Sequence, residues 1–296
     1  MRLDFPKPPL SHQDQLSLLS KRGLIITDQN EAVDTLKKIN YYRLRGYYHH
    51  LYDEDNQRFI SDTTFHKVKM IHDFDSILLH LTASLLMKIE IAFKAQVAYY
   101  HAHKYGGLGY THPENFKDQH KHHIFLEICK KSADESRDKF SYHFKSKYSC
   151  FPIWAIVELL SMSCISKLYS NMLDEDAKYI AKEYYGLSSF NPIKANMCCL
   201  SVLRNICAHG GRIYGRRLPF RINLLKADRK HFKVDHNDTY FSTLFAMKYL
   251  CPSATVWKQF IIDIWQLLYR YKEYIDPILL DLRDTWFEDL LKSGII

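Results

Sequence analysis

Residues 66–104 read HKVKMIHDFDSILLHLTASLLMKIEIAFKAQVAYYHAHK, and their periodicity decides the fold. Ile71, Phe74, Leu78, Leu85, Ile89, Phe93 and Val97 recur three, four or seven residues apart, the spacing of one face of an α-helix. The run stops at Gly106-Gly107-Leu108-Gly109. Its most apolar part, Ser76 to Phe93, contains His80, Lys88 and Glu90, which leaves it short of the ~20 clean residues a membrane span requires. No membrane association is expected.

Working upstream, Ser11 with Asp14 three residues on begins a short helix carrying Leu16, Leu18 and Leu19, which Gly23 should end. Asp28 with Glu31 starts a second helix that runs towards Asn40. The polar stretch Tyr52 to Thr64 (YDEDNQRFISDTT) is the best candidate boundary. It separates an N-terminal helical segment, 1–64, packed on a main helical domain, 65–296. Short strands are expected only near 57–65.

Downstream, 111–150 is polar and His-rich, helix plus loop. Pro152 sits at the first turn of a helix carrying Trp154, Val157, Leu160, Cys164 and Leu168. Asn191-Pro192 opens another, as N-cap and N1, and Gly210-Gly211 closes it. Two more helices fill roughly 239–250 and 253–274. With only 10 Gly and 9 Pro in 296 residues, turns are few and elements long, which argues against a many-stranded sandwich or barrel. Apolar residues at 47% exclude a disordered chain. The N-terminus, MRLDFPKPPLSHQDQ, lacks the apolar core of a secretory signal. The seven cysteines form no CxxC pair and several sit on apolar helix faces, so they read as reduced core residues of a cytoplasmic protein, not disulfides or zinc ligands. The expectation is an all-α chain.

The sharpest chemical signal is LRNICAHGGR, 203–212. Advancing ~100° per residue, Leu200, Leu203, Ile206 and Cys207 gather as a core stripe, and Arg204, Asn205, Ala208 and His209 share the opposite face. Asn205 and His209 are i,i+4 neighbours, and small Ala208 leaves room between Arg204 and His209. Arg keeps its charge and its planar fork fits phosphate oxygens; His exchanges protons near neutral pH. Such a pair suits cleavage of a phosphodiester by its own 2′-hydroxyl, which needs no metal. Spacing alone leaves open that Arg204 merely pairs with a neighbouring helix and His209 fills a polar gap.

RNxxxH followed by Gly-Gly-Arg resembles the signature of the HEPN superfamily, helical domains found in many RNases of prokaryotic defence. The wider chain is similar to its Abi-like branch, which includes the abortive-infection proteins AbiD and AbiF. The blocks occur in order: LSHQDQLSLLSKRGL, INYYRLRGYY (Ile39 to Tyr48), KIEIAFKAQVAYYHAHKYG (Lys88 to Gly106), FPIWAIVELLSMSCISKLY (Phe151 to Tyr169) and LRNICAHGGRIYGR (Leu203 to Arg216). Lys94 departs from the Arg usual after the family's IE pair, and Gly215 from a more frequent Asn. The resemblance implies a HEPN-type helical bundle with an N-terminal helical extension, and a metal-independent endoribonuclease without cofactor, commonly a homodimer with two motif faces near the interface. It implies that Arg204 stabilises the phosphorane, His209 acts as acid or base, and Asn205 orients one of them or the phosphate. Glu90, Lys94 and Tyr214 are candidate supports; Glu90 either fixes Arg204 or simply pairs with Lys94 four residues on in its own helix. Because such an activity would harm its own cell, it also implies phage defence or a toxin restrained by an antitoxin protein or small RNA.

The alternative from another class is a non-catalytic module holding a regulatory RNA. Both readings suit the charge. The chain carries a formal +8, and Arg204 to Lys233 holds nine basic residues (Arg204, Arg212, Arg216, Arg217, Arg221, Lys226, Arg229, Lys230, Lys233) against Asp228 alone, which accounts for the whole surplus. A phosphate track through Arg212, Arg216, Arg217 and Arg221 is therefore expected. Arg43 and Arg45 lie among tyrosines (YYRLRGYY) that can stack on unpaired bases. His120-Lys121-His122-His123 has no metal-ligand spacing and reads as a solvated loop; no metal is expected. The helices 11–22 and 28–40 lack the basic reading face of a DNA-binding pair.

Overall fold

The computed structural model describes residues 8–148, 150–231 and 236–292. The chain opens with three short helices, α1 (His12–Lys21), α2 (Gln29–Lys38) and α3 (Tyr41–Tyr48). Their caps are the ones the side chains dictate. Ser11 Oγ accepts from the Asp14 N–H (3.1 Å), Asp28 Oδ1 from that of Glu31 (2.9 Å) and Asn40 Oδ1 from that of Tyr42 (2.8 Å). A minimal hairpin follows, β1 (Tyr52–Asp53) antiparallel to β2 (Arg58–Phe59), with Tyr52 opposite Phe59. Half of that hairpin lies before the 57–65 window expected for strands.

The periodic stretch then forms one helix, α4 (Phe65–Tyr105), 41 residues and roughly 60 Å long. Thr64 caps it, and Gly106, at φ +79°, ends it. By length and composition alone an 18-residue window of α4 would suffice to cross a membrane, so its interrupting charges do not by themselves disqualify it. Its surroundings define its role: α4 is a central post on which elements from both ends of the chain pack. Ile71, Phe74, Leu78, Ile89, Phe93 and Val97 are fully buried along it.

The remaining helices are α5 (Gln119–Glu135), α6 (Lys139–Lys147), α7 (Ile153–Ile156), α8 (Met162–Asn171), α9 (Asp174–Tyr185), α10 (Asn191–Ala208), α11 (Lys226–His231), α12 (Tyr240–Leu250), α13 (Ala254–Arg270) and α14 (Trp286–Lys292). The fold is all-α, as expected. α10 packs on α4 and α8, and α3, α12 and α13 also pack on α4. A continuous apolar core runs from Leu16 to Leu290.

Four local expectations need correction. Of the cysteines expected in the core, Cys129, Cys207 and Cys251 are buried, but Cys150 and Cys198 are exposed. The helix expected to run on from Pro152 is broken into α7, a 3-10 turn and α8. Leu160 is extended, and Ser161 starts afresh by accepting from the Cys164 N–H. Phe190, not Asn191, is the N-cap of α10, which puts Pro192 in the first turn, where no N–H is required. The His120–His123 run is not a loop: Asp118 caps α5, and His122 is buried against Phe116 with ring centroids 4.6 Å apart.

A second histidine, His101 on α4, is fully buried, stacks near-parallel to Phe116, and neither ring nitrogen has a hydrogen-bond partner among the described residues. Burial pulls its pKa down from 6.5 to about 4. Below pH 6.5 the unfolded chain therefore takes up a proton that the folded chain refuses, and stability is lost as pH falls towards 4. His101→Phe keeps the stacking and loses no hydrogen bond. In urea unfolding at pH 7 and pH 4 it should lose about 3 kcal/mol less on acidification than the wild type.

Candidate functional site

α10 ends in a full Schellman turn. The Gly211 N–H reaches the Ile206 carbonyl (2.7 Å) and the Gly210 N–H that of Cys207 (3.1 Å), with Gly210 at φ +58°. Gly211 is equally constrained, since a Cβ there would lie 2.6 Å from Ile206 Cγ2 and 2.9 Å from its carbonyl oxygen. The Gly-Gly pair thus ends the helix abruptly and leaves His209 exposed at the C-cap, its N–H bonded to the Asn205 carbonyl (3.0 Å).

Arg204 and Asn205 lie one turn earlier. Arg204 Nη1 donates to Asn205 Oδ1 at 3.3 Å, and its Nε stands 3.7 Å from Glu90 Oε2 on α4. Glu90 is buried, and its other oxygen lies 3.2 Å from Lys94 Nζ, also buried. The intrahelical pair and the brace on Arg204 therefore coexist. A carboxylate shared by two cations steadies the guanidinium while Arg204 stays 42% exposed, open to a ligand.

The turn after the motif is gripped from the protein interior. Asp75 of α4, fully buried, accepts from the N–H groups of Ile213 (3.2 Å) and Tyr214 (2.8 Å) and from the Tyr47 hydroxyl of α3 (2.9 Å). Burial raises its pKa, and the three donors act against that shift. Tyr47 is pushed up in turn, by burial and by Asp75. Tyr214 is buried and accepts from the Asp276 N–H at 2.7 Å, so it holds the segment that follows α13 against the site.

The arginines expected to touch RNA divide into three groups. Arg43 Nη2 donates to the Gly210 carbonyl (2.5 Å) and its Nε to His72 Nε2 (3.4 Å). Arg212 Nη1 donates to the Gly46 carbonyl, and burial lowers its pKa from the usual guanidinium range. These two join α3 to the motif turn. Arg217 pairs with Asp238 (2.9 Å), and Arg45 lies 3.9 Å from Glu54. Arg216 and Arg221 are exposed. Lys233, counted in the basic tract, lies outside the described residues. Among the described residues no three His, Cys, Asp or Glu side chains converge as a metal would need.

Sequence reasoning missed Asp75, Tyr47 and His72. The signal for Asp75 was present: it stands four residues after Ile71 and three before Leu78, a carboxylate on an apolar stripe. Asp75→Asn keeps the shape but leaves one acceptor oxygen for three donors. It is expected to destabilise the chain by about 1–3 kcal/mol in urea unfolding at pH 7.

A family model described as Abi-like protein matches residues 34–215, more than half of the chain. The match spans Asp75, Glu90, Lys94 and the whole of 204–209. Searches of curated proteins and of solved structures returned no match. The chain belongs to the Abi-like protein family.

Proposed function

We propose that this chain is a cytoplasmic, metal-independent endoribonuclease of HEPN type, acting in abortive infection or as a restrained toxin. Family membership suggests an abortive-infection-related role. The observation that carries the nuclease reading is the end of α10. There an arginine braced by Glu90, an amide bonded to that arginine and an exposed imidazole lie within one turn and a cap.

In this reading His209 takes the proton of a 2′-hydroxyl, whose oxygen attacks the adjacent phosphorus. Arg204 offsets the charge that grows on the non-bridging oxygens. Asn205 holds Arg204 in line. The bond to O5′ breaks and that oxygen leaves protonated, giving a 2′,3′-cyclic phosphate and a 5′-hydroxyl end. A second copy of the chain would bring a second imidazole to donate that proton. Exposed Met87 and Ile91, on α4 beside Glu90, and exposed Val202 on α10 offer an apolar surface for such a dimer. Arg216 and Arg221 extend the positive surface for the RNA strand, and a regulatory RNA or antitoxin covering this face would restrain the activity.

RNA incubated with the protein in EDTA should be cut to 2′,3′-cyclic phosphate ends. His209→Ala and Arg204→Ala should each slow cleavage by about a hundredfold or more. RNA binding without cleavage under any condition, phage challenge included, would favour the regulatory-RNA module instead. A requirement for divalent metal would overturn the mechanism. In filter binding across a salt series, replacing Arg216 and Arg221 with Ala should weaken RNA affinity and reduce the log–log salt slope by about 2.

A further inference from the structure

A cavity of about 400 Å³ opens between α5 and α8, near the N-terminal end of α10 and away from the motif. That is the size of a small-molecule site. Phe116, Phe125, Ile128 and Leu168 line it, and three lysines, Lys121, Lys167 and Lys194, contribute to its wall from three different helices. No carboxylate lines it. Lys121 is paired with Asp118 at 2.8 Å, whereas Lys167 and Lys194 have no carboxylate within ion-pair distance among the described residues.

The polar groups in this wall restrict what could fill it. Asn171 donates its amide to the Asp118 carbonyl (2.9 Å) and accepts from the Asp118 N–H (3.0 Å), so both its functions are used. His122 Nε2 lies 2.9 Å from the Tyr110 carbonyl, a contact that requires Nε2–H. A nucleobase, with several donors and acceptors on its edge, would leave most of them without partners here. A hydrocarbon body would leave none.

We propose that this cavity binds a single-chain anionic amphiphile, its hydrocarbon against Phe125, Ile128 and Leu168 and its head group on Lys167 and Lys194. The site is independent of the ribonuclease reading, because no motif residue lines it. α10 carries Lys194 in its first turn and Arg204 in its last, so the same helix reaches both places.

The test uses the full chain with laurate and dodecyl phosphate, followed by calorimetry and by mass-spectrometric mapping of iodoacetamide labelling. Cys164 is half-buried in the cavity wall, whereas exposed Cys198 lies outside it and serves as the internal control. Either anion should bind and slow labelling of Cys164 but not of Cys198. Tighter binding of laurate would point to a free fatty acid, and tighter binding of dodecyl phosphate to a lysophospholipid head group. Lys167→Glu with Lys194→Glu should weaken binding about tenfold. Ile124→Glu, at a 42% exposed position in the wall, should weaken it as well. Equal binding of dodecyltrimethylammonium or dodecanol would overturn the proposal. So would protection of Cys164 by AMP but not by laurate, or an unchanged affinity in both variants.

Discussion

The site depends on one buried carboxylate. Asp75 offers its oxygens to two successive backbone N–H groups just beyond the Gly-Gly turn and to a tyrosine hydroxyl from α3. An ionisable group without exposure persists only where donors surround it, and these come from two separate parts of the chain, α3 and the segment after the motif. α4 supplies the acid, and α3 and the post-motif segment are drawn to it. Arg43 and Arg212 close the same junction by reaching backbone carbonyls on opposite sides.

Around that anchor the motif acquires its division of labour. The helix keeps Arg204 and Asn205 on rigid backbone, and the Schellman turn releases His209 to solvent. Glu90, held between Lys94 and Arg204, limits where the guanidinium can swing. The Lys94 departure from the family's usual Arg preserves this, because contact with a single carboxylate oxygen needs a point charge and not a planar fork.

Much of this was written in the residues. The helical period of 66–104, the caps at Ser11 and Asp28, and the faces of α10 all follow from local spacing, which is why they could be read directly. Long-range pairing could not. Nothing in YYRLRGYY distinguishes an arginine that meets RNA from Arg43, whose partner is a carbonyl 167 residues away. Likewise Arg217 resembled a free phosphate contact until Asp238 was found beside it. Composition located the positive charge, and tertiary structure decided which part of it remains available. The break at Leu160-Ser161 was missed because its apolar spacing continues through a hydroxyl that caps a new helix.

The separations along the chain have a kinetic meaning. The Arg43–Gly210 and Asp75–Ile213 bonds close loops of 167 and 138 residues, so the loop-closure entropy falls due before the motif turn is secured. A chain still emerging from the ribosome, or one truncated before Gly210, can form α4 and α10. It lacks the clasp that sets the motif turn. Assembly of the site is thereby deferred until translation has passed it, which delays its appearance relative to the fold that carries it.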